Sequence, residues 1–156
     1  MDKEKHIPGR LQISTVCNQE CPFCSVPYGE IEKPALSLIK TRIKELKDMG
    51  TNDLFITGGE PTIHPNIIEI LDYAHKFNFN EITIQSNGSN FTKEFLRKIK
   101  SYRNVKFNLS YHASDKETYE KLSKSTNYEK YLHGLKDIAE LRIGIDLTFV
   151  INSLNY

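Results

Sequence analysis

Leu54-Phe55-Ile56-Thr57-Gly58-Gly59-Glu60-Pro61 is a short apolar run that passes directly into two glycines, an acid and a proline. After it, Pro65 opens a segment in which Ile67, Ile68, Leu71 and Ala74 recur at three- and four-residue spacing. Strand, glycine loop and helix therefore follow one another without a gap. Before it, Leu36, Ile39, Ile43 and Leu46 carry a helical pattern from Pro34 to Met49 that Gly50 stops. Earlier still, Leu11, Ile13 and Val16 alternate up to Cys17 and predict a first strand that delivers a loop.

The same cycle continues toward the C-terminus. Ile82-Thr83-Ile84 leads to Ser86-Asn87-Gly88, and Phe91, Phe95, Leu96 and Ile99 then return at helical spacing behind Thr92, a candidate N-cap. Val105, Phe107, Leu109 and Tyr111 alternate strictly, and Ser114-Asp115-Lys116-Glu117 reads as a capping box. A further helix over Tyr128 to Leu141 carries Tyr131, Leu132, Leu135 and Ile138 on one side, before a fifth strand from Ile143 to Ile151. Such alternation predicts an α/β fold with a parallel sheet.

A flat doubly wound sheet and a curled barrel both satisfy that order. Strands covered by helices on two faces read as continuous apolar runs, whereas these are apolar on one face only. The other face presents Gln12, Ser14, Thr57, Thr83, Gln85, Asn108, Ser110, His112, Asp146, Thr148 and Asn152. Each such group costs about 1–3 kcal/mol if left dry and unpaired, so a wet concavity that takes a ligand is expected, with a solvent-facing sheet as the alternative. Ligands in such folds bind at the carboxyl ends of the strands.

The chain has 156 residues, 38% of them hydrophobic and 10% aromatic, which fits one globular domain with no membrane span. Lys and Arg number 21 against 20 Asp and Glu, a net charge of +1 that gives no clear sign of a nucleic-acid partner. The start, Met1 to His6, mixes acid and base with no apolar run, unlike a secretory leader, and a cytoplasmic location is expected. The three cysteines, Cys17, Cys21 and Cys24, fall within eight residues as CxxxCxxC and cannot all pair with one another. Three thiolates suit an iron-sulfur cube with one iron left open. A zinc site completed by a histidine, or reduced thiols without a ligand, would use the same residues.

The cysteine loop with Phe23 before its last cysteine, followed by Gly58-Gly59-Glu60-Pro61 after the next strand, resembles the radical S-adenosylmethionine superfamily. The resemblance implies a partial TIM-type (β/α) barrel, here a curved parallel sheet of five strands, C-terminally short of the usual six units, with residues 1–156 as its core domain. It implies a 4Fe-4S cluster on Cys17, Cys21 and Cys24, and S-adenosyl-L-methionine on the open iron. Gly58 and Gly59 would bring backbone to the methionine end, Glu60 would accept from its ammonium group, Pro61 belongs to the same cofactor-binding loop, and Phe23 would shield the cluster while its backbone meets the adenine. Asn108 and Ser110 would reach the ribose, with Ser86 or Asn87 assisting; His112 would orient or protonate a substrate, and His64 is an entry residue of the next helix.

The implied activity is reductive cleavage of S-adenosylmethionine to a 5′-deoxyadenosyl radical that abstracts hydrogen from an unidentified substrate, with a flavodoxin- or ferredoxin-type electron donor. The alternative is a non-catalytic iron-sulfur or zinc module. Ile145, Leu147 and Phe149 form an apolar face with no following helix, so a homo-oligomer or a further C-terminal segment is expected to cover them.

Overall fold

The computed structural model describes residues 7–26 and 32–156; the charged start at Met1 to His6 lies outside them. Among the described residues five strands form one sheet: β1 (Pro8–Gln12), β2 (Asp53–Thr57), β3 (Glu81–Ser86), β4 (Val105–Ser110) and β5 (Ile145–Thr148). All neighbours are parallel, and spatial order follows chain order from β1 to β5. A doubly wound sheet would reverse its order at a switch point. Sequential order is barrel winding, which settles the choice the alternation left open.

Helices α1 (Leu36–Asp48), α2 (Ile67–His75), α3 (Lys93–Ser101), α4 (Lys116–Ser123) and α5 (Tyr128–Leu141) lie between the strands in sequence. Register aligns Leu11, Ile56, Ile84, Phe107 and Ile145 in one row across the sheet. Ile56, Ile84 and Phe107 are fully buried in the main core with Ile39, Ile43, Ile70 and Leu96 from the helices. A smaller core joins Tyr119 and Leu122 of α4 to Tyr128 and Tyr131 of α5.

Several boundaries move for local reasons. β1 stops at Gln12, short of the cysteine, because the following backbone serves a loop: Ser14 O accepts from Gly59 N at 2.9 Å and Val16 O from Glu60 N at 2.8 Å. A 3₁₀ turn at Pro61–Ile63 comes between β2 and α2, which begins at Ile67 and not at Pro65. Thr92 caps α3 as expected, accepting from Phe95 N. The cap of α4 is Asp115, whose carboxylate takes Thr118 N, and not Ser114. Leu132 turns outward at 40% exposure although its neighbours Tyr131 and Ile138 are buried. β5 is shorter than the apolar run because its partner ends: after Tyr111 N donates to Thr148 O, Val150 N turns to His112 Nδ1.

Candidate functional site

The loops after β1, β2, β3 and β4 meet at the carboxyl edge of the sheet around an open cavity of about 960 Å³. Cys17, Cys21 and Cys24 line it together with Phe23, Gly58, Gly59, Glu60, Asn87, Ser110 and His112. The cysteine loop is held from outside by α4. Glu20 N donates to Ser123 O at 2.9 Å, and Gln19 Nε2 donates to Tyr119 Oη at 2.7 Å. A tight turn, Cys24 N to Cys21 O at 2.9 Å, brings the last two cysteines together within the loop.

None of the three cysteines is in a disulfide. Burial pushes the Cys21 thiol up to about 12, and the charges of Cys17 and Cys24 add to the rise. Burial likewise raises Cys17. All three cysteines line one cavity, and a thiol that burial keeps neutral becomes a ligand when a metal displaces its proton. Among the described residues no three His, Cys, Asp or Glu side chains close on one point as a single metal ion requires. Three thiolates on one loop that faces an open cavity are a donor set that suits a cube with each sulfur on a different iron.

The glycine pair is explained by its own chain. A Cβ on Gly58 would lie 2.3 Å from Ser14 O, and one on Gly59 would lie 2.2 Å from Val16 O. Only glycine lets the loop after β2 lie against the segment leading to Cys17. The small residues are thus required by loop-to-loop contact, where the sequence suggested an approach to the methionine end.

Glu60 is 2% exposed. Its Oε1 accepts from Thr62 N at 3.0 Å, Thr62 Oγ1 at 2.6 Å and Ser86 Oγ at 2.8 Å, and its Oε2 accepts from Asn87 N at 2.6 Å. Burial pushes the carboxyl up while these donors pull it back. The side chain expected to meet an ammonium group is committed to donors of the protein, tying the β2 and β3 loops together.

The remaining residues divide. Phe23 lines the cavity and packs edge-on against His112, with ring centroids 5.0 Å apart. His112 takes Val150 N on Nδ1 at 3.1 Å, which leaves its proton on Nε2, and burial lowers its pKa. Ser110 and Asn87 line the cavity, whereas Asn108 and Pro61 do not: Asn108 Oδ1 accepts from Thr148 Oγ1 at 2.6 Å, and Pro61 is buried in the 3₁₀ turn. Of the polar strand face, Gln12, Thr57 and Gln85 reach the cavity, while buried Ser14 bonds to Glu32 O and faces elsewhere. Arg10, Gln19, Ser25 and Val26 were missed as lining residues. Arg10 had a signal, since it alternates in step with Gln12; the loop residues had none.

Comparison with known proteins agrees with this layout. Among curated relatives, a "Probable GTP 3',8-cyclase" of Saccharolobus islandicus is 29% identical over 149 residues, covering 94% of this chain and 48% of that protein. One of the same description from Thermoplasma volcanium is 26% identical over 145 residues, covering 91% of this chain and 44% of the other. The chain thus spans about half the length of the curated relatives it matches. Among solved structures, SuiB of Streptococcus suis bound to S-adenosylmethionine superposes with a TM-score of 0.75 at 18% identity, over 91% of this chain and 32% of that one. The fold is therefore the partial TIM barrel of such proteins. The sequence profile of the Radical SAM superfamily matches residues 11–156. With its cysteine loop and diglycine bend on one cavity, the chain belongs to the Radical SAM superfamily, whose cofactors are a 4Fe-4S cluster and S-adenosylmethionine.

Proposed function

We propose that this chain is the core of an enzyme, residues 1–156, that cleaves S-adenosylmethionine reductively and uses the product radical to abstract hydrogen from a substrate. The observation that carries the proposal is the meeting of Cys17, Cys21 and Cys24 with Gly58 and Gly59 on one cavity wall. When bound, a 4Fe-4S cluster supplies the electron that breaks the carbon–sulfur bond, releasing methionine and a 5′-deoxyadenosyl radical.

The chain's own residues bind and orient. Cys17, Cys21 and Cys24 would hold the cluster through three thiolates, and the methionine end of S-adenosylmethionine would bind at its open corner. The backbone of Gly58 to Glu60 lines the methionine side, positioned by the Glu60 carboxylate beneath it. Phe23 covers the cysteine loop and excludes water from that side. Ser110 and Asn87 offer polar contacts across the cavity, and Asn108 acts only through its bond to Thr148. His112, with its proton on Nε2, orients a substrate as a neutral donor.

Low-potential reduction calls for a donor of flavodoxin or ferredoxin type, and cover for β5 from a second copy or from further chain belongs to the same proposal. Among the described residues no helix is long and apolar enough to cross a membrane. GTP is the first substrate to test, because curated relatives matched over 94% of this chain carry it in their names.

Anaerobic reconstitution with iron and sulfide, followed by dithionite and S-adenosylmethionine, should yield methionine and 5′-deoxyadenosine in equal amounts. Cys21→Ala should retain no cluster. A full complement of iron with no cleavage would replace the enzyme by a non-catalytic cluster-binding module.

A further inference from the structure

Asn87 follows β3 directly, and the partners of its polar atoms leave little freedom. Its backbone N–H donates to Glu60 Oε2 at 2.6 Å. Its Oδ1 accepts from Ser89 N at 3.0 Å and from Ser89 Oγ at 2.7 Å. A backbone N–H can only donate, so the first of these bonds fixes which end of the amide is oxygen. Nδ2 must therefore face the cysteine loop.

There it donates to Asn18 Oδ1 at 2.8 Å, and the same nitrogen stands 4.0 Å from Cys17 Sγ. Asn18 closes the circuit by donating from Nδ2 to Ser89 Oγ at 2.9 Å. The Ser89 hydroxyl proton is already committed to Asn87. A primary amide carries two N–H donors. One goes to Asn18, and the second is left for the Cys17 sulfur. Asn87 and Ser89 are both buried, and Glu60 beneath them is too, so the amide is held in that orientation.

We propose that Asn87 is a positioning residue that donates its second amide hydrogen to the Cys17 sulfur and raises the reduction potential of the cluster, which rests on the reading that the three cysteines carry one. The physical reason is charge. One electron enters on reduction and the thiolate ligands become more negative, so a fixed donor stabilises the reduced form more than the oxidised form. No proton moves, because the amide keeps its hydrogen. The Glu60 carboxylate, through the Asn87 N–H, keeps this donor in place, which gives the diglycine loop a link to the cysteine loop independent of any bound nucleoside.

The test is an EPR-monitored redox titration of the reconstituted full chain as wild type, Asn87→Ala and Asn87→Asp, with iron content and circular dichroism measured on each. Asn87→Asp keeps the shape and the oxygen facing Ser89 but removes the donor and adds charge. With iron content unchanged, the ratio of reduced to oxidised cluster at a fixed poise should fall by about tenfold in Asn87→Ala, or about 59 mV for a one-electron couple, and further in Asn87→Asp. An unchanged midpoint in Asn87→Ala overturns the proposal. Loss of iron from both variants with native circular dichroism also overturns it, since Asn87 would then only build the loop. If the wild type itself takes up no iron-sulfur cluster, the cysteine reading fails first and this proposal falls with it.

Discussion

Phe107 and Ile145 are register partners on adjacent strands, and so are Leu109 and Leu147 two residues further on. On β4 both side chains are fully buried; on β5 Ile145 is 42% exposed and Leu147 56%. The strands have the same alternation and the same row in the sheet. What differs is the helix layer over them: α3 packs on β4, whose Phe107 and Leu109 share a core with Ile138 of α5, whereas the β5 side chains are only partly buried. An apolar position gains stability only from the neighbour that removes it from water, at about 25 cal/mol per Å². The same alternation can thus mark a core strand or an open face.

Substitutions along these two strands break or sharpen the contrast. Phe107→Ala should cost the most, about 3–5 kcal/mol in urea unfolding, because a closed core cannot collapse around the lost ring. A loss under about 1.5 kcal/mol would place β4 on the same footing as β5. Glu60→Ala should cost about 3 kcal/mol by orphaning four buried donors, and Glu60→Gln should not restore it, because an amide nitrogen would then meet a donor.

Tyr131→Phe should go the other way. Among the described residues the buried Tyr131 hydroxyl has no hydrogen-bond partner, so its removal should raise stability by about 1 kcal/mol; a decrease would mean a partner such as buried water. Leu147→Ser should change stability by no more than about 0.5 kcal/mol in dilute protein. A loss above about 1.5 kcal/mol that grows with protein concentration would show β5 to be covered by a second copy.

The chemistry-bearing residues were legible to different depths. Cys17, Cys21 and Cys24 stood out because a cluster of thiols at short spacing has few other uses, and strand-to-loop order put them on the edge that carries Gly58 and Gly59. Ser110 was readable from alternation, since every second residue of a strand faces one side. Asn108 shares that face and still fails to reach the cavity, because Thr148 on β5 takes its oxygen. Glu60 was singled out as an acceptor for the cofactor's ammonium group, but sequence adjacency to two glycines could not reveal that Thr62, Ser86 and Asn87 would close around its carboxylate. The cap of α4 shows the same limit on a smaller scale: Ser114 and Asp115 are both competent acceptors, and the backbone angle of the entering chain chose the second.

By itself the chain of residues determined the strand and helix order, the parallel sheet and the grouping of the three thiols, because these depend on periodicity and short spacing. Tertiary structure alone decided why the glycines must be glycine, where the Glu60 carboxylate is spent and how the Asn87 amide is turned. Those depend on distances between loops far apart in sequence, such as the 2.2 Å that a Cβ at Gly59 would leave to Val16 O, and no local pattern encodes them.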